Sequence, residues 1–202
     1  MSEFDELFGS HRVMVILRGL SSSQAVAAAC RAWDAGVQLL EVPIGAAEQV
    51  AALAAVVAAG NERGKVVGAG TVVAVQQIQA AVDAGASYTV APGFDPDVLA
   101  ESLAAGMPHL PGVATPTEVQ HARNAGCRWV KVFPAGIVGP AWFRAINGPF
   151  PDMRYVATGG INIPAAKDFL AAGAQVVAFG SAATDPAMSD ELMDLISTMH
   201  PA

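Results

Sequence analysis

Apolar positions along the chain fall into two alternating kinds of segment. The first are short, nearly uninterrupted apolar runs: Val13–Arg18, Gln38–Ile44, Val66–Val72, Tyr88–Pro92, His109–Val113, Trp129–Pro134, Tyr155–Thr158 and Val176–Gly180. They lack period-two alternation, as strands covered on both faces do. Between them lie alanine-rich stretches with helical spacing: Ser22–Ala35, Ala46–Ala59, Val75–Ala84, Pro96–Ala105, Pro116–Ala125, Pro140–Ile146, Pro164–Ala172 and a last one from about Pro186. Four open on proline, whose missing donor costs nothing in a first helical turn. Glycines 36, 60, 85, 106, 126, 148 and 173 stand where these helices should stop, since the residue after a helix often takes a left-handed conformation. Eight strand–helix units without a large insertion predict an α/β protein, a (β/α)8 (TIM) barrel forming one domain over residues 1–202. An open doubly wound sheet would carry a glycine-rich turn after its first strand, and Arg18-Gly19-Leu20-Ser21 is not one.

Composition agrees with one large core: 53% of the 202 residues are hydrophobic and 14% are charged. No apolar run reaches the ~20 residues a membrane helix needs. The acidic start Met1-Ser2-Glu3-Phe4-Asp5-Glu6 lacks the basic and apolar regions of a secretory signal, so a cytoplasmic protein is expected. Cys30 and Cys127 form no closely spaced pair, which argues against a disulfide scaffold or a zinc site. A formal charge of −7 without a basic stripe argues against nucleic acid as a partner.

One strand carries a residue that a buried strand should avoid. Of the three lysines, Lys65 follows a polar turn and Lys167 lies in the first turns of a helix, whereas Lys131 sits inside Trp129-Val130-Lys131-Val132-Phe133-Pro134. Desolvation disfavours an ammonium ion, and a free amine can attack a ketone to form a Schiff base. Strand two carries Glu41 between Leu40 and Val42. Strands two and six lie opposite each other in an eight-stranded barrel, so Glu41 and Lys131 can face across one interior. There a carboxylate could move protons for the amine. A purely structural Glu–Lys pair is the competing interpretation.

The remaining polar and glycine positions collect at the carboxyl ends of the strands, where barrels of this kind place their sites. Gly159-Gly160 after strand seven and Gly180-Ser181 after strand eight offer backbone donors for a phosphate. Thr71 and Arg18 are candidates for holding a carboxylate or hydroxyls, or are packing and surface residues. His109 and His121 have no partners at ligand spacing and are expected to be structural or exposed.

Six segments then take on meaning as a set: Glu41-Val42-Pro43-Ile44, Val67-Gly68-Ala69-Gly70-Thr71-Val72, Val90-Ala91-Pro92-Gly93-Phe94, Leu110-Pro111-Gly112-Val113-Ala114-Thr115-Pro116-Thr117-Glu118, Val130-Lys131-Val132-Phe133-Pro134-Ala135 and Ala157-Thr158-Gly159-Gly160-Ile161. In this order they resemble the class I 2-keto-3-deoxy-6-phosphogluconate (KDPG) aldolases and their 2-keto-3-deoxy-6-phosphogalactonate relatives, over nearly the whole chain. The resemblance implies reversible cleavage of a phosphorylated keto acid to pyruvate and glyceraldehyde 3-phosphate, with no metal or organic cofactor, in a homotrimer. By position, it makes Lys131 the imine-forming residue and Glu41 the proton shuttle. Thr71 and the backbone at Pro92 would hold the pyruvate half, and Phe133 would wall the site. Thr158 would touch the sugar hydroxyls, and Gly159, Gly160, Gly180 and Ser181 would take the phosphate. These aldolases commonly carry an arginine four residues after the glutamate, for the pyruvate carboxylate. Here that position is Gly45, with Arg18 as a partial replacement. Val15–Gly19 and Pro43 look like the phosphogalactonate branch, whereas Thr158 and Val90–Gly93 look like the phosphogluconate branch. Two other readings stand beside this one: a phosphosugar epimerase-like barrel enzyme, and a barrel that binds a sugar phosphate without turning it over.

Overall fold

The computed structural model describes residues 3–180 and 189–199. Its parallel strands are β1 (Val13–Ile16), β2 (Leu39–Pro43), β3 (Val67–Gly70), β4 (Tyr88–Val90), β5 (His109–Leu110), β6 (Gly112–Val113), β7 (Trp129–Val132), β8 (Arg154–Thr158) and β9 (Val176–Phe179). The helices are α1 (Glu3–Phe8), α2 (Ser22–Asp34), α3 (Ala47–Asn61), α4 (Gln76–Asp83), α5 (Pro96–Ala104), α6 (Pro116–Asn124), α7 (Ala135–Asn147), α8 (Ala166–Ala171) and α9 (Ser189–Met199). The strands form one sheet in the order β5-β4-β3-β2-β1-β9-β8-β7-β6. This is the expected TIM barrel, with one correction. The fifth stave is two short strands, because Pro111 interrupts it.

That interruption closes the ring. Upstream of it, Ala91 N donates to Leu110 O at 3.0 Å, tying the stave to β4. Downstream, Lys131 N donates to Pro111 O at 2.8 Å and Phe133 N to Val113 O at 3.1 Å, tying it to β7. Proline has no N–H to give, so the stave turns at the one residue that loses no donor.

The side chains divide into two cores. Val15, Leu40, Val42, Val130, Val132 and Ala157 point outward and pack under the helices. Met14, Ile16, Leu39, Tyr88, Val90, Leu110, Trp129, Val156 and Val176 point inward and fill the barrel. The period-two direction of a strand makes this split, and burial on both faces hides it from a hydropathy pattern. Helix α1 was not expected from the sequence. It closes the amino-terminal end of the barrel by placing Phe4 and Phe8 on the inward core. The Phe8 ring meets Trp129 edge-on at 4.7 Å, and Phe4 meets Tyr88 edge-on at 6.1 Å.

Helix ends follow local chemistry with two exceptions. Ser21 and Thr115 form reciprocal capping boxes with Gln24 and Glu118, and Asp95 caps α5. Glycines 36, 85, 106, 126 and 173 have positive φ, as stop residues should. Gly60 does not stop its helix. It lies within α3, where a Cβ would sit 3.0 Å from Lys65 O, and Gly64 takes the left-handed position instead. Gly148 has φ −60°, and α7 extends back from Pro140 to Ala135 across a break at Gly139. The expected start of the last helix near Pro186 lies outside the described residues.

Candidate active site at the carboxyl ends of the strands

Glu41 is the third residue of β2 and Lys131 the third of β7, so both side chains share the inward direction of Leu39 and Trp129, two residues earlier in each strand. Lys131 Nζ lies 3.4 Å from Glu41 Oε1 and 3.5 Å from Oε2, with the two residues 3% and 0% exposed. The expected pairing across the barrel is therefore present and fully buried. Lys131 Nζ also lies 5.8 Å from the centre of the Phe133 ring. Two charged groups out of water persist only when they satisfy each other closely, so holding this pair in the interior carries a desolvation cost.

Small residues make room for it. A Cβ at Gly70 would overlap the Glu41 carboxyl group, and one at Gly68 would overlap the Tyr88 ring. The glycines of Gly68-Ala69-Gly70 thus leave the space that Glu41 and Tyr88 fill. The Tyr88 hydroxyl donates to Leu40 O at 2.7 Å, one residue before Glu41. Burial, and then the nearby Glu41 charge, push the Tyr88 phenol well above its ordinary range. Tyr88 is a neutral donor that anchors the strand carrying Glu41.

The other expected site residues are placed as follows. Thr71 is buried to an intermediate degree and holds φ 59°, a left-handed backbone rare for a β-branched residue. Such strain costs ~1–3 kcal/mol and persists where the surroundings enforce it. Gln77, which sequence reasoning missed, supplies that enforcement. Its Nε2 donates to Ile44 O and Thr71 O, both at 3.2 Å, and its Oε1 accepts from Val73 N and Ala74 N. Pro92 borders Gly112, where a Cβ would overlap the Pro92 carbonyl group. Phe133 lies against Gly159, where a Cβ would come within 2.8 Å of the ring. Thr158 is buried and its hydroxyl has no hydrogen-bond partner among the described residues, an open polar position on the inward face of β8. Gly159 and Gly160 have φ 93° and 72°, and Gly136 N donates to Gly159 O at 2.8 Å, locking this loop to the one after β7. Among the described residues, no acceptor is bonded to the N–H of Gly159 or Gly160. Gly180 follows β9 at the same end, and Ser181 lies outside the described residues.

Arg18 is exposed two residues beyond β1, and among the described residues no ion pair joins it to Glu41. The expected strand end at Arg18 is corrected to Ile16. Gly45 is exposed, and a Cβ there would make only ordinary contacts, 3.6 Å to Gln49 Oε1 and 3.7 Å to Thr71 Cγ2. A Cβ at this position would therefore be tolerated.

His109 is buried rather than exposed, and it belongs to a polar chain outside the barrel wall. Ser102 Oγ donates to Met107 O at 3.0 Å, so it accepts from Thr89 Oγ1 at 2.6 Å. Thr89 in turn accepts from His109 Nδ1 at 2.8 Å. This fixes the proton on Nδ1, and burial lowers the imidazole to about 4. The chain fastens β4, β5 and α5 together. Among the described residues, no group of three or more His, Cys, Asp or Glu side chains could hold a metal ion. No described helix is long and apolar enough to cross a membrane.

Comparison with known proteins follows the same lines. The family model for KDPG and KHG aldolases matches residues 5–198. A 2-dehydro-3-deoxy-phosphogluconate aldolase of Treponema pallidum is 37% identical over 145 residues, 65% of this chain and 69% of its own. A probable 2-dehydro-3-deoxy-6-phosphogalactonate aldolase of Rhizobium meliloti is 32% identical over 88% of this chain and 84% of its own. Among solved structures, the 2-keto-3-deoxy-6-phosphogluconate aldolase of Zymomonas mobilis superposes with a TM-score of 0.85 at 27% identity, covering 100% of this chain and 99% of that one. A model matching nearly every residue, on a barrel with a buried lysine–carboxylate pair, places the chain in the KDPG and KHG aldolase family and so among the lyases.

Proposed function

We propose that this protein is a Schiff-base aldolase that reversibly cleaves a 2-keto-3-deoxy-6-phospho sugar acid, of phosphogluconate or phosphogalactonate type, to pyruvate and glyceraldehyde 3-phosphate. The observation that carries the reading is the buried Lys131 Nζ, 3.4 Å from the Glu41 carboxylate. Transfer of one proton from Nζ to Glu41 gives a neutral amine beside a carboxylic acid, the two groups that addition to a ketone requires. The amine adds to the C2 carbonyl, and the carbinolamine loses water with a proton from Glu41, leaving an iminium ion. Glu41, through water, then takes the proton of the C4 hydroxyl. The C3–C4 bond breaks, its electrons enter the iminium to form an enamine, and the aldehyde departs. Protonation of C3 and hydrolysis of the imine release pyruvate and restore Lys131.

The remaining residues have roles in binding. Thr71 and the Pro92 backbone hold the pyruvate end, with Arg18 supplying charge where Gly45 does not, and Phe133 excludes water. The unpartnered Thr158 hydroxyl meets a substrate hydroxyl. The N–H groups of Gly159 and Gly160, which bond no acceptor among the described residues, receive the phosphate with Gly180 and Ser181. The reading includes one barrel domain over residues 1–202, acting in the cytoplasm as a homotrimer and without an organic cofactor or metal. Its test is borohydride reduction in the presence of pyruvate, followed by peptide mass spectrometry. A reduced pyruvyl adduct on Lys131 is expected. A folded protein giving no adduct, or one on Lys65 or Lys167, would overturn it.

A further inference from the structure

The opposite end of the barrel carries a polar cleft of about 450 Å³, whose lining includes Asp5, Arg12, Arg128, Trp129, Arg154 and Gln175. Three of these are arginines, and their placement follows from the sheet. Arg12 immediately precedes β1, Gln175 precedes β9, Arg154 begins β8 and Arg128 precedes β7, and these four strands are neighbours in the order β1-β9-β8-β7. Backbone bonds fix the alignment: Arg154 N donates to Arg128 O at 2.8 Å, and Val177 N donates to Arg12 O at 2.9 Å. With strands ~4.8 Å apart, three guanidinium-bearing residues follow one another around the rim within ~15 Å.

Two carboxylates lie nearby, Asp5 in the cleft lining and Asp152 within electrostatic reach of Arg128, but neither forms a close ion pair with these arginines. Among the described residues, no ion pair is formed by Arg12, Arg128 or Arg154, and the side-chain bond of Arg12 goes to the neutral Gln175 carbonyl at 3.3 Å. Asp5 accepts the Trp129 indole N–H at 2.8 Å, and Asp152, near Arg128, is bonded to Arg123 at 2.9 Å. This chain of formal charge −7 has 11 Lys and Arg residues, and three of them stand on this one rim. A guanidinium fork suits phosphate oxygens, and the cleft has the volume of a small-molecule site rather than of a polymer track.

We propose that this amino-terminal cleft is a binding site for a small polyvalent phosphate-bearing anion, held by Arg12, Arg128 and Arg154 and separate from the Lys131 site. The proposal does not depend on the reaction at the other end. Its test uses inorganic pyrophosphate as the probe, with phenylglyoxal labelling of arginines read by peptide mass spectrometry and potassium chloride matching the ionic strength. At ten times its dissociation constant, pyrophosphate should slow labelling of Arg12, Arg128 and Arg154 by about tenfold, the factor mass action gives when occupancy blocks the reagent. Labelling of Arg31 and Arg144 should not change. In Arg128→Gln/Arg154→Gln the protection of Arg12 should vanish. In Arg154→Gln alone it should weaken, which keeps the test usable if the double variant does not fold. Equal slowing of all arginines, or none beyond that in chloride, would overturn the proposal.

Discussion

At the amino ends of the strands the barrel is closed by Phe4 and Phe8 packed on Tyr88 and Trp129, with arginines around the rim. At the carboxyl ends the same strands hold Glu41 and Lys131 out of water among glycines. The inward positions of β2 and β7 show the contrast: Leu39 and Trp129 lie below, and Glu41 and Lys131 lie one layer above. A shift of two residues along a strand converts apolar filling into an ion pair. The lower layer stabilises by area removed from water. The upper layer spends stability on desolvated charge and on the left-handed Thr71.

Substitutions at the two ends should therefore separate activity from stability. The largest effect is expected at Lys131. Lys131→Ala should lower turnover by roughly five orders of magnitude and abolish borohydride trapping, as loss of a covalent nucleophile does. Because this leaves Glu41 buried and unpaired, Glu41→Gln/Lys131→Met should restore folding without activity, checked by near-ultraviolet circular dichroism. Next, Glu41→Gln should slow turnover by about 10²–10⁴-fold while trapping persists at a reduced rate, and Gly70→Ala should mimic it because its methyl group displaces the Glu41 carboxyl group.

At the other end, Phe8→Ala should cost about 3–5 kcal/mol in denaturant unfolding and leave kcat of the folded fraction nearly unchanged. A fall in kcat matching that of Glu41→Gln would mean that the two ends are coupled.

The His109 chain lies outside both ends and should show up only in the pH dependence of stability. Burial lowers its imidazole from 6.5 to about 4, so between those values the unfolded chain binds more protons than the folded one. The contribution is complete above pH 6.5 and is lost as pH falls toward 4, by about 3 kcal/mol in all. His109→Asn should flatten that segment of the curve, measured by urea midpoints at pH 7 and 4.5. The smallest effect is expected at Gly45. Gly45→Arg meets no clash at its Cβ, starts from an exposed position, and should lower KM by about one to two decades, the worth of one charge-assisted hydrogen bond of about 1.5–3 kcal/mol. An unchanged KM would mean that Arg18 already supplies that charge.

The residues determined a good deal by themselves. Continuous apolar runs alternating with helices capped by Ser21, Asp95 and Thr115 gave the barrel through local chemistry. Lys131 and Glu41 stood out because a charge inside an apolar strand is expensive wherever it ends up. Other features depended on neighbours distant in sequence. Tyr88 and Gly70 serve Glu41 only because β3 and β4 lie beside β2, and Gln77 holds Thr71 only because two loops converge on it. Helix α1 looked like a polar terminus, since its two phenylalanines have value only when a barrel end is open to receive them. Gly60 read as a helix stop, but a carbonyl from Lys65 lies so close that glycine is favoured inside the helix. The alignment of Arg12, Arg128 and Arg154 likewise arises where four strands begin side by side. Sequence carries what a residue costs or prefers locally, and the tertiary structure decides which distant groups share one space.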